Sequence, residues 1–257
     1  MSRFVNLEFD HESSENQSQR ERLKDEGYYG AAAQEAFERA QFEVALRSYS
    51  KVLEFNPQNA AAWTGQVRAL MELGQYNEAL KWAETALDRF PHDPELLSAK
   101  AVALARQGDL QGALAFSDAA IEERGDTPYI WLARGDVMLA RAEQRADYCF
   151  DKALALAPRN WFIAWLAARI RYFYDQFAQA LKLAQQALEW NPGQYTLWLL
   201  VGLCQSRLGL VEAARTSLQQ VRQLNPQCTE AVQALQALSP QGLWARWRRF
   251  WQRLVAP

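Results

Sequence analysis

The sequence predicts an all-α solenoid of about six helix-turn-helix repeats plus a capping helix, and three regularities predict it. Residues able to end a helix, Pro57, Pro91, Gly125, Pro158, Pro192 and Pro226, stand at steps of 34, 34, 33, 34 and 34. Twelve residues before each stands an alanine: Ala45, Ala79, Ala113, Ala146, Ala180 and Ala214. Six residues after the first five stand Trp63, Leu97, Trp131, Ala164 and Trp198. One such helix pair carries more apolar surface than it can bury alone, so it requires neighbours on both sides.

Residues 60–93 show the unit most clearly. Trp63, Val67 and Leu70 recur at helical spacing, and Gly74 supplies the positive φ that ends this first helix. Tyr76, Ala79, Leu80, Ala83, Ala86 and Leu87 continue the period on a second helix, which Pro91 closes. Ala79 and Ala86 are small because two helices crossing closely leave no room for more. The first unit, 26–59, opens weakly, with Gly27 and Gly30 in its first helix. Units two and three run without irregularity through Thr127. Unit four, 128–160, is one residue short in its turn near Arg141 to Gln144, which predicts a local change of stacking. The sixth unit ends at Cys228, residues 229–238 form a capping half-unit, and Ser239, Pro240, Gln241 and Gly242 break the helix. Three segments result: a mobile polar tail over 1–25, the solenoid over 26–238, and a basic aromatic amphipathic helix over 239–257.

Among 257 residues, 49% are apolar and the net charge is −2, which gives no overall electrostatic basis for binding nucleic acid. No signal peptide or apolar run of membrane-spanning length is found, and three cysteines at unrelated places read as reduced thiols in a cytoplasmic protein. The two histidines, His11 and His92, belong to no triad or metal motif, and there is no phosphate-binding glycine loop. The residues therefore predict no enzyme, no metal and no cofactor.

The period and its residue types resemble the tetratricopeptide repeat (TPR) family over roughly 26–238. Tyr29, Ala33, Ala45, Tyr49, Val52 and Pro57 match repeat positions 4, 8, 20, 24, 27 and 32 in the first repeat. Trp131, Gly135, Ala153 and Pro158 match in the fourth. Gly125 in place of the closing proline and Ala164 in place of an aromatic are departures. The resemblance implies a right-handed superhelix whose first helices line a concave, ligand-binding face, mainly through positions 2, 5, 9, 12 and 13.

Carried over by register, repeat two presents Ala61, Thr64, Arg68, Met71 and Glu72, and repeat three Glu95, Ser98, Val102, Ala105 and Arg106. Repeat four presents Tyr129, Leu132, Asp136, Leu139 and Ala140. Repeat five presents Phe162, Trp165, Arg169, Tyr172 and Phe173, the residue types that dominate binding hot spots. These five and Tyr129 are the expected partner-binding residues. In the alternative register Trp165 replaces Ala164 in the core slot and some of these aromatics turn inward. The family's carboxylate clamp is not matched, since Ala33, Gln34 and Gly65 stand where it needs lysine and asparagines.

In the last segment Trp244, Trp247, Phe250 and Trp251 share an apolar arc of about 140° with Leu243, Leu254 and Val255. Arg246, Arg248, Arg249 and Arg253 lie on the other side. Residues 243–255 make about 20 Å of helix, too short to span a bilayer of about 30 Å. Three roles stay open: lying on an anionic membrane surface, docking in a partner's groove, or capping the solenoid. Phe4, Val5, Leu7 and Phe9 give the tail a short apolar patch, which is free, docked on a partner, or folded into the protein's own groove. The function expected is a non-catalytic scaffold or adaptor holding a peptide or protein segment in its concave groove, peripheral on a membrane in one version. The alternative is a constitutive structural subunit with its groove permanently filled.

Overall fold

The computed structural model describes residues 24–238, and the expectations for the tail before residue 24 and for Trp244 to Arg253 lie outside them. The described chain is helical throughout. Its first pair is α1 (Glu26–Glu38) and α2 (Phe42–Phe55), followed by α3 (Ala60–Glu72) and α4 (Tyr76–Arg89). Then come α5 (Pro94–Gln107) and α6 (Leu110–Glu122), α7 (Pro128–Ala140) and α8 (Ala146–Leu156). The last pairs are α9 (Trp161–Phe173) with α10 (Phe177–Trp190) and α11 (Tyr195–Arg207) with α12 (Val211–Leu224). A short α13 (Thr229–Ala237) packs its Ala231 against Leu199, Leu218 and Val221.

Local chemistry explains the boundaries. One residue before each first helix stands a short polar side chain in the first five repeats. Asp25, Asn59, Asp93, Thr127 and Asn160 each accept from a backbone N–H in the first turn, satisfying donors the helix leaves open. Asp25 thus holds the start of α1, despite Gly27 and Gly30. Within each repeat the turn between its helices passes through one left-handed residue: Ala40, Gly74, Gly108, Ala142, Asp175 and Gly209, with φ between 55° and 91°. Only three are glycine, so Ala40, Ala142 and Asp175 adopt a conformation that costs an L-residue about 1 kcal/mol or more.

The six alanines twelve before each repeat end are all fully buried. Positions 8 and 24 complement one another in size where they meet. A Cβ on Gly135 would come within 2.8 Å of the Phe150 ring, and one on Gly202 within 2.8 Å of Leu218. Where the second-helix residue is Ala83, the first helix carries Val67 instead, in the same apolar cluster. Gly125 is also explained by space, because any Cβ there would lie 2.6 Å from the Ala120 carbonyl oxygen and 2.8 Å from Pro94. Proline, which has a Cβ, would not fit. Trp63 and Trp198 donate their indole N–H to the carbonyls of Pro57 and Pro192 at 3.0 and 2.8 Å. With Gly125 at that point, Trp131 donates to the Asp126 carboxylate at 2.7 Å instead. That hydrogen bond, together with Lys152, holds the Asp126 carboxyl below its usual range. The short fourth repeat loses its residue after Ala142. α8 consequently starts late and has 11 residues, against 13 or 14 in the other second helices.

The array curls until its first and last repeats touch. Gln194 occupies the capping place before α11 but caps nothing; its Nε2 donates to the Glu38 carbonyl at 2.8 Å. The Tyr195 hydroxyl donates to the next carbonyl, that of Arg39. These contacts join residues 156 apart in the chain.

Candidate interaction site

The concave face formed by this closure is a cavity of about 400 Å³, bounded by residues from α1 through α13. Its position follows from the register: residues at the inward positions of α3, α5, α7 and α9 converge because each first helix lies on the inner side of the turn. Arg68, Met71, Glu72, Arg106, Tyr129, Arg169, Tyr172 and Phe173 all line it. Thr64, Ser98, Phe162 and Trp165 do not, and all four are buried.

Phe162 and Trp165 therefore depart from the exposed groove position expected of them. Asn160 caps α9 four residues before Ala164, as Asn59 caps α3 four residues before Trp63, so Ala164 keeps the core slot and the alternative register is not the cause. The cause is closure. Phe162 stacks on Trp165 with centroids 5.6 Å apart and meets the α1 residue Phe37 edge-on at 6.0 Å, and Phe37 meets Phe42 at 5.3 Å. Trp165 is left 1% exposed, in one apolar cluster that joins repeat one to repeat five. Phe173, by contrast, is 49% exposed, and Tyr129, Arg169 and Tyr172 are half-buried.

Charges in the cavity are mostly paired within the chain. Asp136, buried on α7, accepts from Arg106 Nε and Nη2 at 3.2 and 2.5 Å and from the Tyr174 hydroxyl at 2.7 Å. Burial disfavours the Arg106 charge, but the Asp136 carboxylate outweighs it and leaves the guanidinium more basic than usual. Burial, reinforced by Asp136, pushes the Tyr174 phenol far up. Burial does the same to Tyr129, opposed in part by Arg68. Arg169 pairs with Glu72 across the cavity and lies over the Phe42 and Trp165 rings. Arg207 pairs with Asp175 at 2.9 Å. Arg106 also sits 3.4 Å from the centroid of the Phe173 ring.

Phe37, Tyr76, Tyr174 and Arg207 also belong to the site. Phe37 and Arg207 hold inward positions 12 and 13 of repeats one and six, so the same rule carried to those repeats selects them; Tyr76 starts a second helix and Tyr174 follows the end of α9, and no inward position marks either. Among the described residues no group of three or more His, Cys, Asp or Glu could hold a metal, and no helix is long and apolar enough to cross a membrane. Cys149 and Cys204 are buried free thiols and Cys228 a half-buried one. His92 is exposed and contacts Glu123 at 2.7 Å.

Comparison with known proteins agrees with the geometry. The family model described as Tetratricopeptide repeat matches residues 36–103, 74–137 and 174–238. The chain belongs to the tetratricopeptide repeat family, whose arrays are in general protein-interaction scaffolds. The interval between the matches, 138–173, contains the shortened turn and Ala164. A stretch of 110 residues is 33% identical to Protein CTR9 homolog of Arabidopsis thaliana, covering 42% of this chain and 10% of that protein. The chain thus matches only about a tenth of the length of that curated relative. Among solved structures, a tetratricopeptide repeat protein from Parabacteroides merdae aligns with a TM-score of 0.55 at 16% identity, covering 84% of this chain and 85% of that one. A thermophilic TPR protein of Thermus thermophilus aligns with a TM-score of 0.54 at 25% identity, covering 71% of this chain and 98% of that one.

Proposed function

We propose that this chain is a non-catalytic scaffold or adaptor that lodges an extended segment of a partner protein in its closed concave cavity. The observation that carries the proposal is the composition of that cavity: half-exposed Phe173 and the partly buried rings of Tyr129 and Tyr172 stand among arginines and carboxylates, in a recess large enough for several side chains. Aromatic and arginine side chains offer broad, stiff contact area with planar hydrogen-bond donors, the chemistry of interface hot spots. Repeats two to five supply the contact surface, while Phe162 and Trp165 support it from behind. In this proposal Trp244, Trp247, Phe250, Trp251 and the arginines among them hold the assembly on an anionic membrane surface. The two limbs separate experimentally. Tyr129→Ala with Phe173→Ala should remove partners captured from native extract, whereas Tyr148→Ala, an exposed control on α8, should not. Flotation with anionic but not neutral liposomes, lost when residues 243–257 are removed, tests the membrane limb. Identical captured sets for both ring variants would overturn the groove assignment.

A further inference from the structure

Arg68 differs from the other arginines of the central cavity. It sits at an inward position of α3 and borders two recesses at once, the central cavity and a second one of about 310 Å³ lined by Gly30, Gln34, Tyr49 and Glu95. Its guanidinium carbon lies 5.0 Å from the Phe37 ring centroid and 4.2 Å from that of Tyr129. Rings engage a guanidinium through its face and leave the five in-plane N–H donors free for an acceptor. Arg106, Arg169 and Arg207, the other cavity arginines, each meet a carboxylate. Arg68 has no carboxylate or hydrogen-bond acceptor among the described residues. Its natural helical partner, Glu72 four residues on, is engaged by Arg169 instead.

We infer that Arg68 is the anchor for a carboxylate side chain of the partner segment, which crosses from the smaller recess past Arg68 into the central cavity. This rests on the proposed scaffold function and names the chemistry of its ligand. A single carboxylate fits better than a phosphate. Glu95 and Glu72 flank the arginine in the two recesses, and a dianion there meets more repulsion than a monoanion does. The two rings hold the guanidinium in place beforehand, so a carboxylate gains a forked, charge-assisted pair at small entropic cost.

The test uses the full chain and two fluorescent decapeptides of serine, leucine and phenylalanine, one carrying two glutamates and the other two glutamines at the same places. The glutamate peptide should bind at least about tenfold more tightly to wild type. Arg68→Gln should erase that preference, so that the two peptides bind the variant equally. Arg68→Lys should retain part of it. Equal binding of both peptides to wild type would overturn the inference and leave the groove assignment standing. If neither peptide binds wild type or the Glu8→Gln, Asp10→Asn chain, both fail. If peptide binds only after Glu8→Gln and Asp10→Asn in the full chain, the occupant is the chain's own N-terminal segment, and the assignment to a partner is overturned.

Discussion

Arg169 on α9 reaches across the cavity to Glu72 on α3, 97 residues earlier in the chain. Repeat proteins are held by contacts between neighbouring units, and this pair spans three steps of the array. With Gln194 on Glu38, and Phe162 on Phe37, it turns an open spiral into a closed one. Both partners are 23–31% exposed, so water screens their attraction. A double-mutant cycle with Glu72→Gln and Arg169→Gln should give a coupling of about 1 kcal/mol in urea unfolding. The single variants should also increase the radius of gyration in solution scattering. Zero coupling with unchanged dimensions would show that the pair does not hold the closure.

Trp165 fixes the second expectation. An exposed groove residue could be removed at little cost to stability, whereas a side chain buried like this one leaves a cavity. Trp165→Ala should lower unfolding free energy by about 3–5 kcal/mol. Phe173→Ala, half-exposed on the same helix, should lower it by less than about 1.5 kcal/mol.

Most of the fold was legible in the sequence because its determinants are local. The 34-residue step, the fully buried Ala113 and its equivalents, and the left-handed glycines at 74, 108 and 209 are each set within one repeat or between two. Closure was not legible. It depends on small rotations summed over five junctions, and no short window records a sum. The residues that close the turn were visible but ambiguous. Phe162, Trp165 and Arg169 at inward positions looked like ligand contacts, and Glu72 three repeats away carried the matching charge. Gln194, longer than the Asp, Asn and Thr at the other capping places, was the one local sign of a different task.

The left-handed turn positions give a stability prediction of opposite sign at different repeats. Ala40→Gly and Ala142→Gly should each stabilise the protein by about 1 kcal/mol, because glycine accepts positive φ without the Cβ clash. Gly74→Ala should destabilise it by a similar amount. Thermal melting of the three variants checks this.

Size complementarity between positions 8 and 24 predicts that Gly135→Ala destabilises by about 1–3 kcal/mol, against the helix preference for alanine, because the new methyl meets the Phe150 ring. Phe150→Leu in the same chain should recover part of that loss. A stabilising Gly135→Ala would mean that the ring yields freely.

Burial raises the thiols of Cys149 and Cys204, the latter to about 12. In native protein at pH 8 an aromatic disulfide reagent should therefore modify Cys228 first and the other two only on unfolding. The same shift sets a pH dependence. An unfolded Cys204 loses its proton near pH 9 while the folded one keeps it, so its contribution to stability is intact below pH 9 and declines as pH rises towards 12. Urea unfolding at pH 8 and 10.5 should show a smaller alkaline loss in Cys204→Ala than in wild type.

The central claim is that a partner segment lies inside the closed concave cavity. It is tested most directly by placing a photoreactive amino acid at Met71, which lines the cavity, or at Tyr148 on the exposed side of α8, and irradiating each in native extract. The account predicts a discrete cross-linked partner from position 71, mapped to one acidic segment and lost with Arg68→Gln, and none of that partner from position 148. The same partner captured from position 148, with position 71 silent, would contradict it.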